Sequence, residues 1–245
     1  MYRYMITKMS VRCDCYGMIE YSVMKRAVIF DMDGVMVSSE ALWNRHEENL
    51  FPKILAPKIA EKALKSSRRG LSEAQIFQML HTLGHTGHRQ ELYDAYDTIA
   101  RDLYREAPMM PGLDGVIERL HQYGARLGLD SASPIHWIHL VLDRLPHAKY
   151  FSYVESVNEH PELRPKPAPD GYLAAMGALG VLPEQTVIIE DSVSGLTAAA
   201  GAGAHVCCFT FYMEKEPEHD PAYQYARTSK DLLRYCKRFI EESAG

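Results

Sequence analysis

Short, unbroken apolar runs recur along the chain: AVIF at 27–30, ARLGL at 125–129, TVIIE at 186–190 and HVCCF at 205–209. A fifth strand-like stretch, YFSYVES, lies at 150–156. Runs of this length without polar alternation suit strands covered on both faces. Between them the spacing turns helical. PGLDGVIERLHQYG stops at Gly124, APDGYLAAMGALG at Gly180, and SVSGLTAAAGAGA near Gly201 or Gly203. SPIHWIHLVLDRL opens with Ser133 as the expected N-cap and Pro134 at the first helical position. SKDLLRYCKRFIEE supplies a last helix. The alternation predicts an α/β fold, a Rossmann-like three-layer core with a parallel sheet.

Residues 41–108 break this rhythm. They hold no strand-like run, only helical signals. SEAQ at 72–75 reads as a capping box ahead of Ile76, Phe77, Leu80 and Leu83. A further helix spaces Leu92, Tyr96, Ile99 and Leu103 along one face. An inserted all-helical cap domain over 41–108 is expected, with a core domain made of 24–40 and 109–245. Hinges are expected near Val37–Glu40 and Pro108–Gly112. Residues 1–23 differ in character from the rest of the chain; Met24 before KRAVIF reads as the natural start of the domain, and 1–23 as a poorly ordered extension.

Composition narrows the function classes. The 245 residues carry a formal net charge of −5 with no basic run, which argues against nucleic acid as a partner. No apolar stretch approaches the roughly 18 residues of a membrane span. Five cysteines, with Cys207 beside Cys208 and Cys13 near Cys15, form neither a disulfide framework nor a zinc spacing. A reducing, cytoplasmic setting is expected, with Cys207 and Cys208 as small core residues, and a monomer or weak oligomer. The eleven histidines form no metal spacing, and a solvated cluster is expected for His81, His85 and His88.

The chemistry gathers where strands should end. In an open α/β sheet, ligands bind beyond the carboxyl ends of the strands. There the first run delivers Asp31 and Asp33, followed by Gly34; the second delivers Asp130, Ser131 and Ser133; the third delivers Glu190, Asp191 and Ser192. The loop ELRPKPAPD adds Lys166. Like-charged carboxylates at about 4 Å and an effective dielectric near 20 cost roughly 4 kcal/mol per pair. One lysine does not offset several of them, so a divalent cation is implied, and an all-oxygen donor set favours Mg²⁺. A metal and a lysine beside hydroxyl groups suit a phosphoryl group. Asp130 is the odd member. Strand alternation turns it away from Ser131, and the sequence offers no partner for it.

DMDGV, LDSASP, KPAPDGY and IIEDSVSGLTAAAGAG, in this order, resemble the four motifs of the haloacid dehalogenase superfamily over roughly residues 24–210. The helical insertion lies where that superfamily carries its C1 cap. DGVMVSSEALW and LGLDSASPIHW look closest to its sugar-phosphate phosphatase and β-phosphoglucomutase branch. The resemblance implies a Mg²⁺-dependent phosphatase of a small phosphorylated metabolite, a sugar or sugar-alcohol phosphate, working through an aspartyl-phosphate. It implies Asp31 as nucleophile and Asp33 as acid and base. It implies Asp31, the Asp33 carbonyl, Asp191 and Glu190 around the metal, and Ser131 and Lys166 on the phosphoryl oxygens. Gly34 and Ala132 would border the phosphate, with Trp43 and Arg69 reaching the substrate from the cap; Arg68 is the alternative to Arg69, and a solvated pair of arginines is the plainer expectation.

Two related activities and one non-catalytic role compete with this expectation. A phosphomutase would carry an arginine soon after Gly70 and a histidine in the first cap helix; here those stretches read LSEAQ and Trp43. A dehalogenase needs neither Mg²⁺ nor Asp33. A relative that only binds a ligand or partner would have lost Asp31 or Asp33.

Overall fold

The computed structural model describes residues 9–13, 19–23, 25–66, 68, 71–213 and 218–242. Two strands, β1 (Met9–Cys13) and β2 (Ile19–Val23), pair antiparallel with Met9 opposite Val23. No element is predicted there from the pattern, because that segment lacks a clear apolar run.

The core follows the predicted alternation. β3 (Ala27–Phe30) leads into four helices, α1 (Glu40–Ile54), α2 (Pro57–Lys65), α3 (Glu73–Thr82) and α4 (Arg89–Glu106). Next come α5 (Leu113–Gln122), β4 (Arg126–Ser131), α6 (Ile135–Leu142) and β5 (Phe151–Ser156). Then follow α7 (Asp170–Leu179), β6 (Thr186–Glu190), α8 (Val193–Gly201), β7 (His205–Phe209), β8 (Gln224–Ala226) and α9 (Ser229–Glu241). The sheet order is β5-β4-β3-β6-β7-β8, and every pairing in it is parallel. β8 is too short and too polar to announce itself in the sequence.

The reason for unbroken apolar runs is visible in how the strands are covered. Val28, Phe30, Leu127, Leu129, Val187, Ile189 and Cys207 point into one apolar cluster with residues of α5 and α9. Ala27, Ile29, Ile188, Val206 and Cys208 point into another with α7 and α8. Adjacent Cys207 and Cys208 therefore serve opposite faces, both fully buried. The first cluster continues without a gap into the four-helix segment through Met36, Phe51, Leu80 and Leu103.

The two chain passages between sheet and helices run side by side. Val37 bridges Met109, Ser38 N–H donates to the Pro108 carbonyl at 2.8 Å, and Met110 N–H to the Met36 carbonyl at 2.9 Å. The α3 capping box forms as predicted. Ser72 Oγ accepts from Gln75 N–H and Gln75 Oε1 from Ser72 N–H. Among the described residues no helix is long and apolar enough to cross a membrane.

Candidate active site

β3 is flanked by β4 and β6 in matching register, Phe30 lying beside both Leu129 and Ile189. The next residue along each strand is Asp31, Asp130 or Glu190, so parallel pairing brings three acids to one level. Asp31 N–H continues the ladder by donating to the Ile189 carbonyl at 3.0 Å. The chain then leaves the strand at Gly34, whose φ of +82° favours glycine. A Cβ there would collide with Asp191 Oδ2, so the glycine also lets the β6 loop come close.

Lys166 is the cation of the cluster. Its Nζ lies 2.6 Å from Asp31 Oδ1 and 2.7 Å from Glu190 Oε1, fully enclosed and over the Tyr172 ring. Burial alone would discharge it, but Asp31 and Glu190 outweigh burial and hold the ammonium charged. Burial likewise penalises the Glu190 carboxylate, yet Lys166 and hydrogen-bond donors hold its pKa below the ordinary range. Oε1 accepts from Lys166 and from the Tyr172 hydroxyl; Oε2 accepts from Asp191 N–H, Ser192 N–H and Ser192 Oγ–H. This path of the loop requires Gly195, where a Cβ would collide with Glu190 Oε1. For Asp31 the balance goes the other way. Burial pushes its carboxyl well above the ordinary range; Lys166 opposes this, and Glu190 and Asp191 reinforce it.

Asp31, Glu190 and Asp191 each offer a carboxylate oxygen, all within 4.8 Å of one another and all buried. One ammonium contacts two of the three. The remaining negative charge and the all-oxygen donor set fit a small hard divalent cation.

Asp33 has a different environment, built of hydroxyl groups. Its Oδ1 accepts from Ser39 Oγ–H, and from the Tyr104 hydroxyl at 2.8 Å; its Oδ2 accepts from Ser133 Oγ–H at 2.7 Å. Burial raises the Asp33 pKa, and each of these donors draws it back. Ser133 therefore does not cap α6 as the sequence suggests. Pro134 occupies the N-cap position, and the Ile135 N–H is met instead by Glu159 Oε1 at 2.8 Å. Ser131 is buried at the end of β4 and accepts from Ser133 N–H at 3.1 Å. Ser39 and Tyr104 are the site residues that sequence reasoning missed; Ser133 was placed at the strand end but given to capping. The hydroxyl following Ser38 was a usable signal; Tyr104 had none, since it approaches from a helix more than seventy positions away.

A cleft opens above these residues, lined by Asp31, Asp33, Ser131, Ala132, Lys166, Glu190 and Asp191 from the sheet side. From the helical side come Trp43, Asn44, Glu47, Arg68, Glu73 and Tyr96. Trp43 stacks on Tyr96 with centroids 5.1 Å apart and sits 5.4 Å from Trp137. Arg68 is not a solvated charge. Its Nε–H donates to Glu47 Oε2 at 2.5 Å, and its other nitrogens donate to Ala63, Ser66 and Asn44 oxygens. Tyr96 completes the Glu47 carboxylate at 2.5 Å. Arg69 lies outside the described residues. Asp130 turns away from the cleft as alternation requires, toward Gly171, and neither of its carboxylate oxygens has a partner among the described residues.

Comparison with known proteins agrees with this layout. The haloacid dehalogenase-like hydrolase family profile matches residues 25–203. Hexitol phosphatase B of Escherichia coli (strain K12) is 30% identical over 219 residues, covering 84% of this chain and 96% of the relative. The (DL)-glycerol-3-phosphatase 2 of Arabidopsis thaliana is 28% identical over 204 residues, covering 80% and 82%. Among solved structures, CbbY from Rhodobacter sphaeroides in complex with phosphate superposes with a TM-score of 0.67 at 23% identity, covering 85% of this chain and 96% of that one; it shares the fold.

Proposed function

The chain belongs to the haloacid dehalogenase-like hydrolase family, and from that premise we propose that it is a Mg²⁺-dependent phosphatase of sugar or sugar-alcohol phosphates that works through an aspartyl-phosphate. The observation that carries the reading is the strand-end cluster of Asp31, Glu190 and Asp191, in which one buried ammonium contacts Asp31 and Glu190 while Asp33 stands beside them in a hydroxyl cage. Relatives named for hexitol and glycerol phosphates support the substrate class.

Asp31, fixed at the strand end, attacks phosphorus and forms the acyl-phosphate. Asp33 protonates the departing alkoxide and then takes a proton from the attacking water. Ser131 and Lys166 bind the phosphoryl oxygens, with Gly34 and Ala132 bordering them. Asp31, Asp191 and the Asp33 carbonyl would hold the cation. Glu190, whose oxygens are engaged by five donors, anchors the loop that presents Asp191. When bound, Mg²⁺ would supply charge stabilisation for the phosphoryl group. Residues 41–108 act as a cap on the core of 24–40 and 109–245, with Trp43 against the organic part of the ester. The paired passages at Val37–Glu40 and Pro108–Gly112 serve as the hinge.

Phosphate release from a panel of hexitol, hexose and glycerol phosphates tests this. Turnover should require Mg²⁺, vanish on chelation and vanish in Asp31→Asn, while the variant keeps its melting temperature. Turnover that survives Asp31→Asn sinks the reading.

A further inference from the structure

Asp33 draws its donors from three parts of the molecule. Ser39 lies on the passage leaving the sheet, Ser133 on the loop after β4, and Tyr104 on α4, the last helix of the inserted segment. We propose that the Tyr104 hydroxyl is a positioning group that orients Asp33 for proton delivery to the leaving oxygen and does so only while α4 is seated against α6. The inference rests on the reading of Asp33 as the general acid and adds a residue to it.

The donor count on each oxygen assigns the work. Oδ1 accepts from both Tyr104 and Ser39, so it is occupied. Oδ2 accepts from Ser133 alone at 2.7 Å. Oδ2 is therefore the oxygen that carries the transferable proton and exchanges Ser133 for the ester oxygen. As the P–O bond breaks, its electron pair stays on the alkoxide oxygen, which takes the Oδ2 proton. The phosphoryl group passes to Asp31, and Asp33 is left a carboxylate. Two hydroxyl donors already aimed at Oδ1 favour that carboxylate and fix the plane of the group.

Tyr104 is itself held from several directions. Trp43 Nε1–H donates to its hydroxyl at 3.3 Å, and the hydroxyl stands 3.1 Å from Ser133 Oγ. The carbonyls of Tyr104 and Ala107 accept from the Arg144 guanidinium at 2.6 and 2.8 Å, tying the end of α4 to the core. Asp97, two turns earlier, accepts from Trp137 Nε1–H at 2.8 Å. Trp43 lines the cleft, so a ligand there meets the same chain of contacts that ends on Asp33.

Leaving-group dependence separates a positioning role from a structural one. An alkoxide must be protonated as it departs; nitrophenolate leaves without help. With Mg²⁺ present, Tyr104→Phe should lower kcat/KM, which reports the steps up to formation of the acyl-phosphate, by roughly tenfold to a hundredfold for glycerol 3-phosphate and glucose 6-phosphate. For p-nitrophenyl phosphate kcat/KM should stay within about twofold, since the later hydrolysis, in which Asp33 acts as base, does not enter it. Equal losses of kcat/KM on alkyl and aryl esters, or no loss on the alkyl esters, overturn the proposal while leaving the phosphatase reading intact. If the wild type releases phosphate from none of the three, that reading falls and this one with it. Should Tyr104→Phe fail to fold, Ser39→Ala removes the other Oδ1 donor and must show the same alkyl-selective loss, or the proposal is overturned.

Discussion

Glu190 and Asp130 lie near the carboxyl ends of the two strands that flank β3, at the same level of the sheet, and both are buried, at 0% and 1% exposure. Glu190 has Lys166, the Tyr172 hydroxyl and three donors of its own loop; Asp130 has none for either oxygen among the described residues. Their pKa values move in opposite directions. Glu190 is held below the ordinary range because its partners outweigh burial, while burial pushes Asp130 up to about 6 despite the nearby Lys166. Burial is common to both, so burial does not decide whether a carboxylate supports the fold. Its partners do.

The contrast can be broken from either side. The largest effect is expected from Glu190→Ala, which strips Lys166 of one of its two carboxylates and releases the Asp191 loop. It should cost about 3–5 kcal/mol in urea unfolding at neutral pH, as removal of one partner of a buried pair does. A loss under about 1 kcal/mol would show that the partners around Glu190 contribute little.

Asp130→Ala should act in the opposite sense. The folded-state pKa of Asp130 lies above its ordinary 3.8, so the native state prefers the neutral acid. The penalty is absent at low pH, grows as pH rises from 3.8 to about 6, and is complete above that. Its full size is about 3 kcal/mol, at 1.36 kcal/mol per pKa unit. The variant should therefore gain about 2–3 kcal/mol over the parent at pH 7 and nothing at pH 4. The same stability difference at both values would mean that the charge is not the cause.

A third buried acid sharpens the comparison. Glu47, in the helical segment, is satisfied by Arg68 and by Tyr96. Tyr96→Phe removes one donor and leaves the ion pair, so the loss should be smaller, about 1.5 kcal/mol, read from the same unfolding curves. A cost as large as that of Glu190→Ala would place the phenol, not the guanidinium, as the partner that matters.

Much of this was legible in the residues. Continuous apolar runs marked four of the parallel strands, because strands covered on both faces have no polar side to break the run, and YFSYVES marked a fifth. Asp31, Asp33, Lys166 and Asp191 stood out because strand ends in such a sheet face one rim. Ser133 was misread as a cap because Ser before Pro is the usual local signal, and the Asp33 carboxylate, a hundred positions away, won its hydroxyl. Arg68 read as a surface charge because its partner Glu47 lies on α1, with α2 between them and nothing in the spacing to join them. Alternation turned Asp130 away from Ser131 but left its partner unidentified, and no donor meets its carboxylate from the described residues.

The linear order of residues determined which groups stand at the strand ends, since period and turn chemistry are local properties. Only the tertiary structure decided which of those groups are charged, paired or alone. Burial, donors and field at each carboxylate come from side chains that arrive from distant segments. Tyr104 on Asp33, Arg68 on Glu47 and the donor-poor surroundings of Asp130 are all outcomes of packing, to which neighbours in sequence contribute almost nothing.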